Sequence, residues 1–496
     1  MDDIRQNKTP YFSALVDYSE SNVTPFDIPG HKLGRLDNLL KDKIGDAVYK
    51  YDSNSPKGLD NISKPKSVIK EAQALMAEAF KADKAYFLTG GTTQGILAMI
   101  MGAVGAREKL ILPRNVHKSV INALILSGAI PVFMPVHIDT NLGIANGVNV
   151  SDVEKTIKEN PDAKAIFLIN PTYFGVASNI KEIVRIAHEN NMLVLVDEAH
   201  GSHLGFHEEL PLSAMEAGAD LSSCSLHKTG GSLTQSSVLL CKGQRVDQNK
   251  LGVAFNILQT TSPSELLLAS LDTARHYLYF NGRKMLDKTL QVARYAREVL
   301  NDIPGIEVIK KEDFIGGGNF DYDETKVLIN IRDLGKPGYF YYNHLKERFN
   351  VQIELAETYV ILLVLTMGSR HEDIDRLKEV LQILSNELYD GTKKEVYKKF
   401  KYSYPESYVR PRSAYHAPKK FVKLEDACGE ISGESIMIYP PGIPIVIPGE
   451  VIDENIIEML EFYEENGFNI LTDQENDLIK IIDRDNWIKW SEDDEI

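Results

Sequence analysis

Apolar positions along the chain recur with two different periods, and each marks an element type. Between 66 and 81, Val68, Ile69, Ala72, Leu75, Met76, Ala79 and Phe80 fall three or four residues apart, which predicts an amphipathic helix over 66–81. Short, nearly continuous apolar runs follow, at 85–88, 110–112, 131–134, 165–169, 193–196, 221–224 and 237–241. Gly90-Gly91-Thr92-Thr93 turns the first of these into a helix over 93–105, and helices over 117–127, 151–159 and 180–190 separate later ones. Apolar strands alternating with helices predict a mainly parallel sheet covered on both faces. In such a sheet, ligands bind outside the carboxyl ends of the strands.

The pattern changes on both sides of this block. Residues 1–60 read as an irregular arm broken by Pro25, Pro29, Gly30, Gly34 and Pro56, with a fixed turn at Phe26-Asp27-Ile28-Pro29-Gly30-His31-Lys32. Such an arm either wraps a partner subunit or packs on its own domain. A large α/β domain is expected over 61–280. Helices at 263–280 and 284–302 lead out of it into strands 326–331, 351–355 and 360–365, with helices at 338–348 and 371–388. These make a smaller α+β domain over 281–390. A charged linker at 390–401 opens a third region, 391–496. Its run from Tyr439-Pro440-Pro441-Gly442 to Pro448-Gly449-Glu450 is too proline-rich for a helix and reads as extended. After 450 a helical tail ends in acidic residues.

Composition narrows the class. With 496 residues, 43% of them hydrophobic, the chain can bury the cores of two or three domains. Its three cysteines are widely spaced and suggest neither a disulfide framework nor a metal signature. The first residues are acidic where a secretory leader is basic, and no apolar run is long enough to span a membrane. A cytoplasmic protein is expected. The net charge of −16 disfavours nucleic acid and would attract a cationic small molecule.

Candidate chemistry gathers at strand ends and helix starts. Lys228, in Ser225-Leu226-His227-Lys228-Thr229-Gly230-Gly231, can place an amine at the rim of the sheet or be a solvated surface lysine. Gly90-Gly91-Thr92-Thr93 fits a phosphate cradle as well as a plain helix cap. Asp197 ends a buried strand and needs a cationic partner such as a cofactor nitrogen, or is a helix cap or part of an internal ion pair. His117 opens a helix and could stack on a flat ring or be structural. His200, His203 and His207 could suggest a metal, but contacts to an organic cofactor account for His200 and no metal is expected. An amine, a buried carboxylate, a phosphate cradle and a flat neighbour are what pyridoxal phosphate (PLP) requires.

Six stretches in order carry a family resemblance: Ile28-Pro29-Gly30-His31-Lys32, Pro113-Arg114-Asn115-Val116-His117-Lys118-Ser119, Asn170-Pro171-Thr172-Tyr173-Phe174-Gly175-Val176, Asp197-Glu198-Ala199-His200-Gly201, Ser225-Leu226-His227-Lys228 and Tyr439-Pro440-Pro441-Gly442 through Pro448-Gly449-Glu450. From about residue 10 to 470 the chain resembles the ornithine/lysine/arginine decarboxylase family, most of all its short bacterial branch, whose best-known members are arginine decarboxylases. The resemblance implies the PLP-dependent, aspartate-aminotransferase-like fold (fold type I), with 61–280 as the PLP-binding domain and 391–496 as the family's C-terminal domain. It implies Lys228 as the imine lysine, Asp197 on the pyridinium and His117 stacked on the ring. Gly91, Thr92, Thr93, Ser225 and His227 would hold the phosphate. Ala199 and His200 would lie at the ring, Thr260 and Thr261 would reach across a homodimer, and Glu450 would meet the substrate's cationic end. The implied reaction is decarboxylation of a basic amino acid, L-arginine to agmatine first, lysine or ornithine next. Leu59-Asp60-Asn61-Ile62-Ser63 and Thr229 depart from the family pattern. A catalytically silent PLP-fold protein that binds a partner is the reading from another class; intact Lys228, Asp197 and His117 argue against it.

Overall fold

A computed structural model describes residues 2–394, 405–439, 443–473 and 478–487. The chain divides into two compact units, Met1–Ala103 with Leu193–Leu286, and Val104–Met192 with Asp287–Ile496. This division interleaves the chain, with one change of unit at Leu286/Asp287.

In the first unit four strands lie in the order Lys84–Leu88, Ser237–Cys241, Leu221–Cys224, Leu193–Asp197. Leu193–Asp197 pairs parallel with Leu221–Cys224, but Ser237–Cys241 runs antiparallel to both its neighbours. The reversal has a local cause. Between Cys224 and Ser237 the chain forms only the four-residue helix Leu226–Thr229 and a return through Gly231 and Gln235, both at positive φ. That is too short for the crossover a parallel pair requires. The helix Gly91–Ala103 covers one face, burying Ile96, Met99 and Ile100. Gly95 lets it approach, since a Cβ there would lie 2.1 Å from Ser223 Oγ.

Two expectations for this unit need correction. The N-terminal arm is not irregular: it contains the helices Asp2–Gln6, Pro10–Glu20, Leu39–Ile44 and Ala47–Lys50. Pro10 sits in the first turn of its helix, where a missing N–H costs nothing. Asp272 Oδ2 accepts from the Tyr11 and Phe12 N–H groups at 2.9 and 3.2 Å, and the fully buried Arg275 donates to the Gln6 and Lys8 carbonyls. The start of the arm therefore packs on its own unit. Further along, Phe26 and Leu39 are 93% and 84% exposed. The second correction concerns 263–302, where one helix, Glu265–Leu300, replaces the expected pair. Gly282 does not break it; a Cβ there would lie 3.2 Å from Phe206 Cβ, so the missing side chain makes room for that ring. Packing outweighs a glycine penalty of about 1 kcal/mol.

In the second unit Ala165–Ile169, Lys109–Pro113 and Ile130–Met134 lie in that order and pair in parallel. A separate antiparallel sheet orders Glu307–Val308, Lys326–Asn330, Val360–Val364 and Leu355–Ala356. The last is shorter than the strand expected over 351–355. Its apolar face packs with Gly338–Phe349 and His371–Leu388 around Val327, Ile329, Ile361, Leu377 and Leu381. The C-terminal part contains the antiparallel pair Ile436–Tyr439 and Ile443–Val446, extended as expected, and the helix Glu454–Glu465. Residues 440–442 of the proline-rich run, most of the 390–401 linker and the acidic tail from 488 lie outside the described residues. Among the described residues no helix is long and apolar enough to cross a membrane.

Candidate active site

Strand termini of the first unit bring most of the expected residues together. Asp197 closes the strand Leu193–Asp197, opposite Ser223 in register. Its Oδ1 accepts the Ala199 N–H at 3.0 Å, and among the described residues no hydrogen bond reaches Oδ2. Burial pushes this carboxyl up, while the Ala199 N–H and the charge of Lys228 pull it down. Lys228 rides on the short helix that follows Leu221–Cys224, with Nζ 2.7 Å from His200 Nε2. An amine and an imidazole at this distance can exchange a proton. His227 donates through Nδ1 to the Ser236 carbonyl, 3.0 Å away, and burial lowers its pKa, with Lys228's charge adding to the effect.

Hydroxyls cluster at the start of Gly91–Ala103. Thr92 Oγ1 lies 2.6 Å from Ser225 Oγ and donates to Ser237 Oγ at 3.3 Å. Gly91 has φ +72°, a conformation glycine adopts without strain. Thr93 is exposed, and Ala199 is buried beside Asp197. Thr260 and Thr261 are exposed just after the helix Gln248–Leu258. His203 and His207 are buried.

Gln94, Gln259, Ser237 and Ser202 support this arrangement and were missed from sequence. Gln94 Nε2 donates to Gln259 Oε1 at 2.8 Å, which ties the helix bearing Thr92 to the segment leading into Thr260. Ser237 backs Thr92. Thr229, a departure from the family pattern, has its hydroxyl 2.7 Å from Ser202 Oγ. Each is a small polar residue whose partner is distant in sequence, so no local motif marks it.

Two expected residues belong to the second unit. His117 caps the helix Lys118–Ser127: its Nδ1 accepts the Ser119 N–H at 3.2 Å, which fixes the ring. Glu450 is 1% exposed and already has a cation. Its Oε1 accepts from Arg114 Nε at 3.2 Å, and its Oε2 from Arg114 Nη2 at 2.7 Å and the Ile447 N–H at 2.9 Å. Glu450 was expected to meet a substrate cation; in its own unit that carboxylate is engaged by Arg114.

The donor set in the first unit fits PLP. It offers an amine, a buried carboxylate with one oxygen that no described residue bonds, and paired hydroxyls at the start of a 13-residue helix behind a positive-φ glycine.

Comparison with known proteins agrees in kind. Residues 9–373 match the Orn/Lys/Arg decarboxylase major domain, and 392–469 match the C-terminal domain of that family. An arginine decarboxylase of Halalkalibacterium halodurans is 44% identical, covering 91% of this chain and 92% of its own length. One from Bacillus subtilis is 42% identical, covering 92% of this chain and 93% of its own length. Among solved structures, the lysine decarboxylase of Francisella novicida superimposes with a TM-score of 0.83 at 22% identity, covering 96% of this chain and 81% of its own. The fold is that of the fold-type-I decarboxylases.

Proposed function

The chain belongs to the Orn/Lys/Arg decarboxylase family, and we propose that it converts L-arginine to agmatine and carbon dioxide with PLP held at Lys228. Identity above 40% to two arginine decarboxylases, along nearly the whole of each chain, carries the choice of arginine.

Bound PLP would supply an electron sink for the pair left at Cα when the carboxylate departs as carbon dioxide. This chain's residues do the rest. Lys228 Nζ is the anchoring amine, and His200 Nε2, 2.7 Å away, takes a proton from it so that its lone pair is free. The same contact can return the proton as product leaves. Asp197 would hold a proton at the ring nitrogen. Its burial makes an adjacent cation strongly favourable, because a buried carboxylate without one tends to neutralise. Gly91, Thr92 and Ser225 would hold the phosphate, with Thr93 and His227 beside them. Ala199, two residues past Asp197, would lie at the ring.

A homodimer is part of this reading. Phe26, Ile28, Leu36 and Leu39 are exposed apolar side chains within 14 residues, a density that favours burial by a second copy. Thr260 and Thr261, exposed here, would then serve the neighbouring site. The protein would act in the cytoplasm, in amine synthesis.

Product analysis tests the proposal. PLP-loaded protein is incubated separately with L-arginine, L-lysine and L-ornithine. Agmatine as the dominant product is expected; cadaverine or putrescine in its place would overturn the substrate, and no amine from any of them would overturn the reaction.

A further inference from the structure

Asp197 and Glu198 are consecutive, and an extended backbone sends consecutive side chains to opposite faces. On the first face, Asp197 stands opposite Ser223, and Ser225, two residues on, meets Thr92. On the other face Glu198, 2% exposed, meets the alternate residues of the same strand. Ser222 Oγ donates to Glu198 Oε2 at 2.7 Å, and Cys224 Sγ lies 3.4 Å from the same oxygen. The Ala214 N–H donates to Oε1 at 2.7 Å. Through its backbone, Glu198 donates to the Ser223 carbonyl at 3.0 Å and accepts from the Gly201 N–H at 2.9 Å. Two segments, the strand Leu221–Cys224 and the start of the helix Ala214–Ala217, converge on this one carboxyl, and nothing in the chemistry above uses it. Among the described residues no Lys or Arg side chain bonds to it.

We propose that Glu198 is a positioning residue: its carboxyl clamps the Asp197 peptide to the strand that runs into Ser225 and Lys228. The clamp sets the spacing between the carboxylate that serves the cofactor's ring nitrogen and the amine that anchors it. The inference rests on the PLP reading of Lys228 and Asp197. The position of the clamp explains why a polar cluster occupies this otherwise apolar face, where leucine or valine would pack at no desolvation cost. Burial pushes the Glu198 carboxyl up to about 7, so a neutral group with the same shape should replace it.

The test compares wild-type holoenzyme with Glu198→Gln, Glu198→Ala and Ser222→Ala. Four quantities are read: PLP affinity of the apoenzyme, the pH midpoint of the bound cofactor's visible band, kcat and KM for L-arginine, and Tm. Glu198→Gln should keep the midpoint and kcat near wild type. Glu198→Ala should move the midpoint and lower kcat by about 10–100-fold, as loss of an orienting partner does elsewhere, with KM nearly unchanged. Ser222→Ala removes one bond and should fall between them, which keeps the test open if the alanine at 198 prevents folding. Variants that lose Tm but keep the wild-type midpoint, affinity and kcat would overturn the proposal and leave Glu198 a structural residue. Should wild type release no amine, the decarboxylase reading fails by itself; affinity and midpoint still decide the role of Glu198.

Discussion

Two buried carboxylates, one in each unit, show what separates a site from a structural contact. Glu450 is surrounded: Arg114 grips both its oxygens and the Ile447 N–H adds a third bond. Arg114 in turn donates to the Pro444 and Ile445 carbonyls, so the cation is held as firmly as the anion. Burial pushes the Glu450 carboxyl up and Arg114 pulls it back. Asp197 is equally buried but has one backbone N–H, the nearby charge of Lys228 and an oxygen that no described residue bonds. A buried charge needs a counter-charge. Where a described cation bonds both oxygens, the pair is architecture; where an oxygen is left without a described partner, the group can receive a ligand. Glu265 is a third solution. Among the described residues its carboxyl accepts one hydrogen bond, from the Ser55 N–H at 2.6 Å, and burial pushes it up to about 7, so it remains protonated below neutrality.

The comparison breaks most sharply at Asp197. Asp197→Ala should lower kcat by about 10²–10³-fold, the scale expected when a preorganised electrostatic group is removed. Folding should change little, because among the described residues no side chain hydrogen-bonds to Asp197. Equal losses of kcat and Tm would erase the distinction. Arg114→Ala should behave in the opposite way. It leaves Glu450 buried without its cation and should destabilise by about 3–5 kcal/mol, read from denaturant unfolding. Arg114→Ala with Glu450→Gln should recover part of that loss, and kcat per folded molecule should stay near wild type.

The smallest expected effect is that of pH on Glu265. Its folded pKa is raised, so the folded state binds more protons than the unfolded state between about 4.5 and about 7. Stability from this group is therefore greatest below that window and falls as pH rises through it. Between pH 5.5 and 7.5 the decline should be about 2 kcal/mol from Glu265. Calorimetry on wild type and Glu265→Gln should show a shallower decline in the variant; identical slopes would place the ionised form of Glu265 in the folded state.

Much of this was legible along the chain because it is local. The strands at 165–169, 221–224 and 237–241 and the helix at 371–388 were bounded by their apolar runs. Lys228, Asp197, Thr92 and Ser225 stood out because strand ends and helix starts mark where ligands bind in such sheets. The helix Pro10–Glu20 was missed because its buried face is only Tyr11 and Leu15, and its anchors, Asp272 and Arg275, lie some 260 residues on. The continuity of Glu265–Leu300 was hidden by Gly282, which reads as a break until Phe206 is seen against it.

The order of residues by itself determined the type of most elements after residue 60, the family and the residues able to bear the chemistry. These depend on periodicity and on motifs a few residues long, both written in adjacent positions. Tertiary structure alone decided which buried carboxylate was already satisfied. It also decided which of Asp197 and Glu198 faces the side of Ser225 and Thr92, and that His200 lies within 2.7 Å of Lys228. Those outcomes depend on which distant groups share one low-dielectric space, and a buried charge is governed by its neighbours there rather than by its neighbours in sequence.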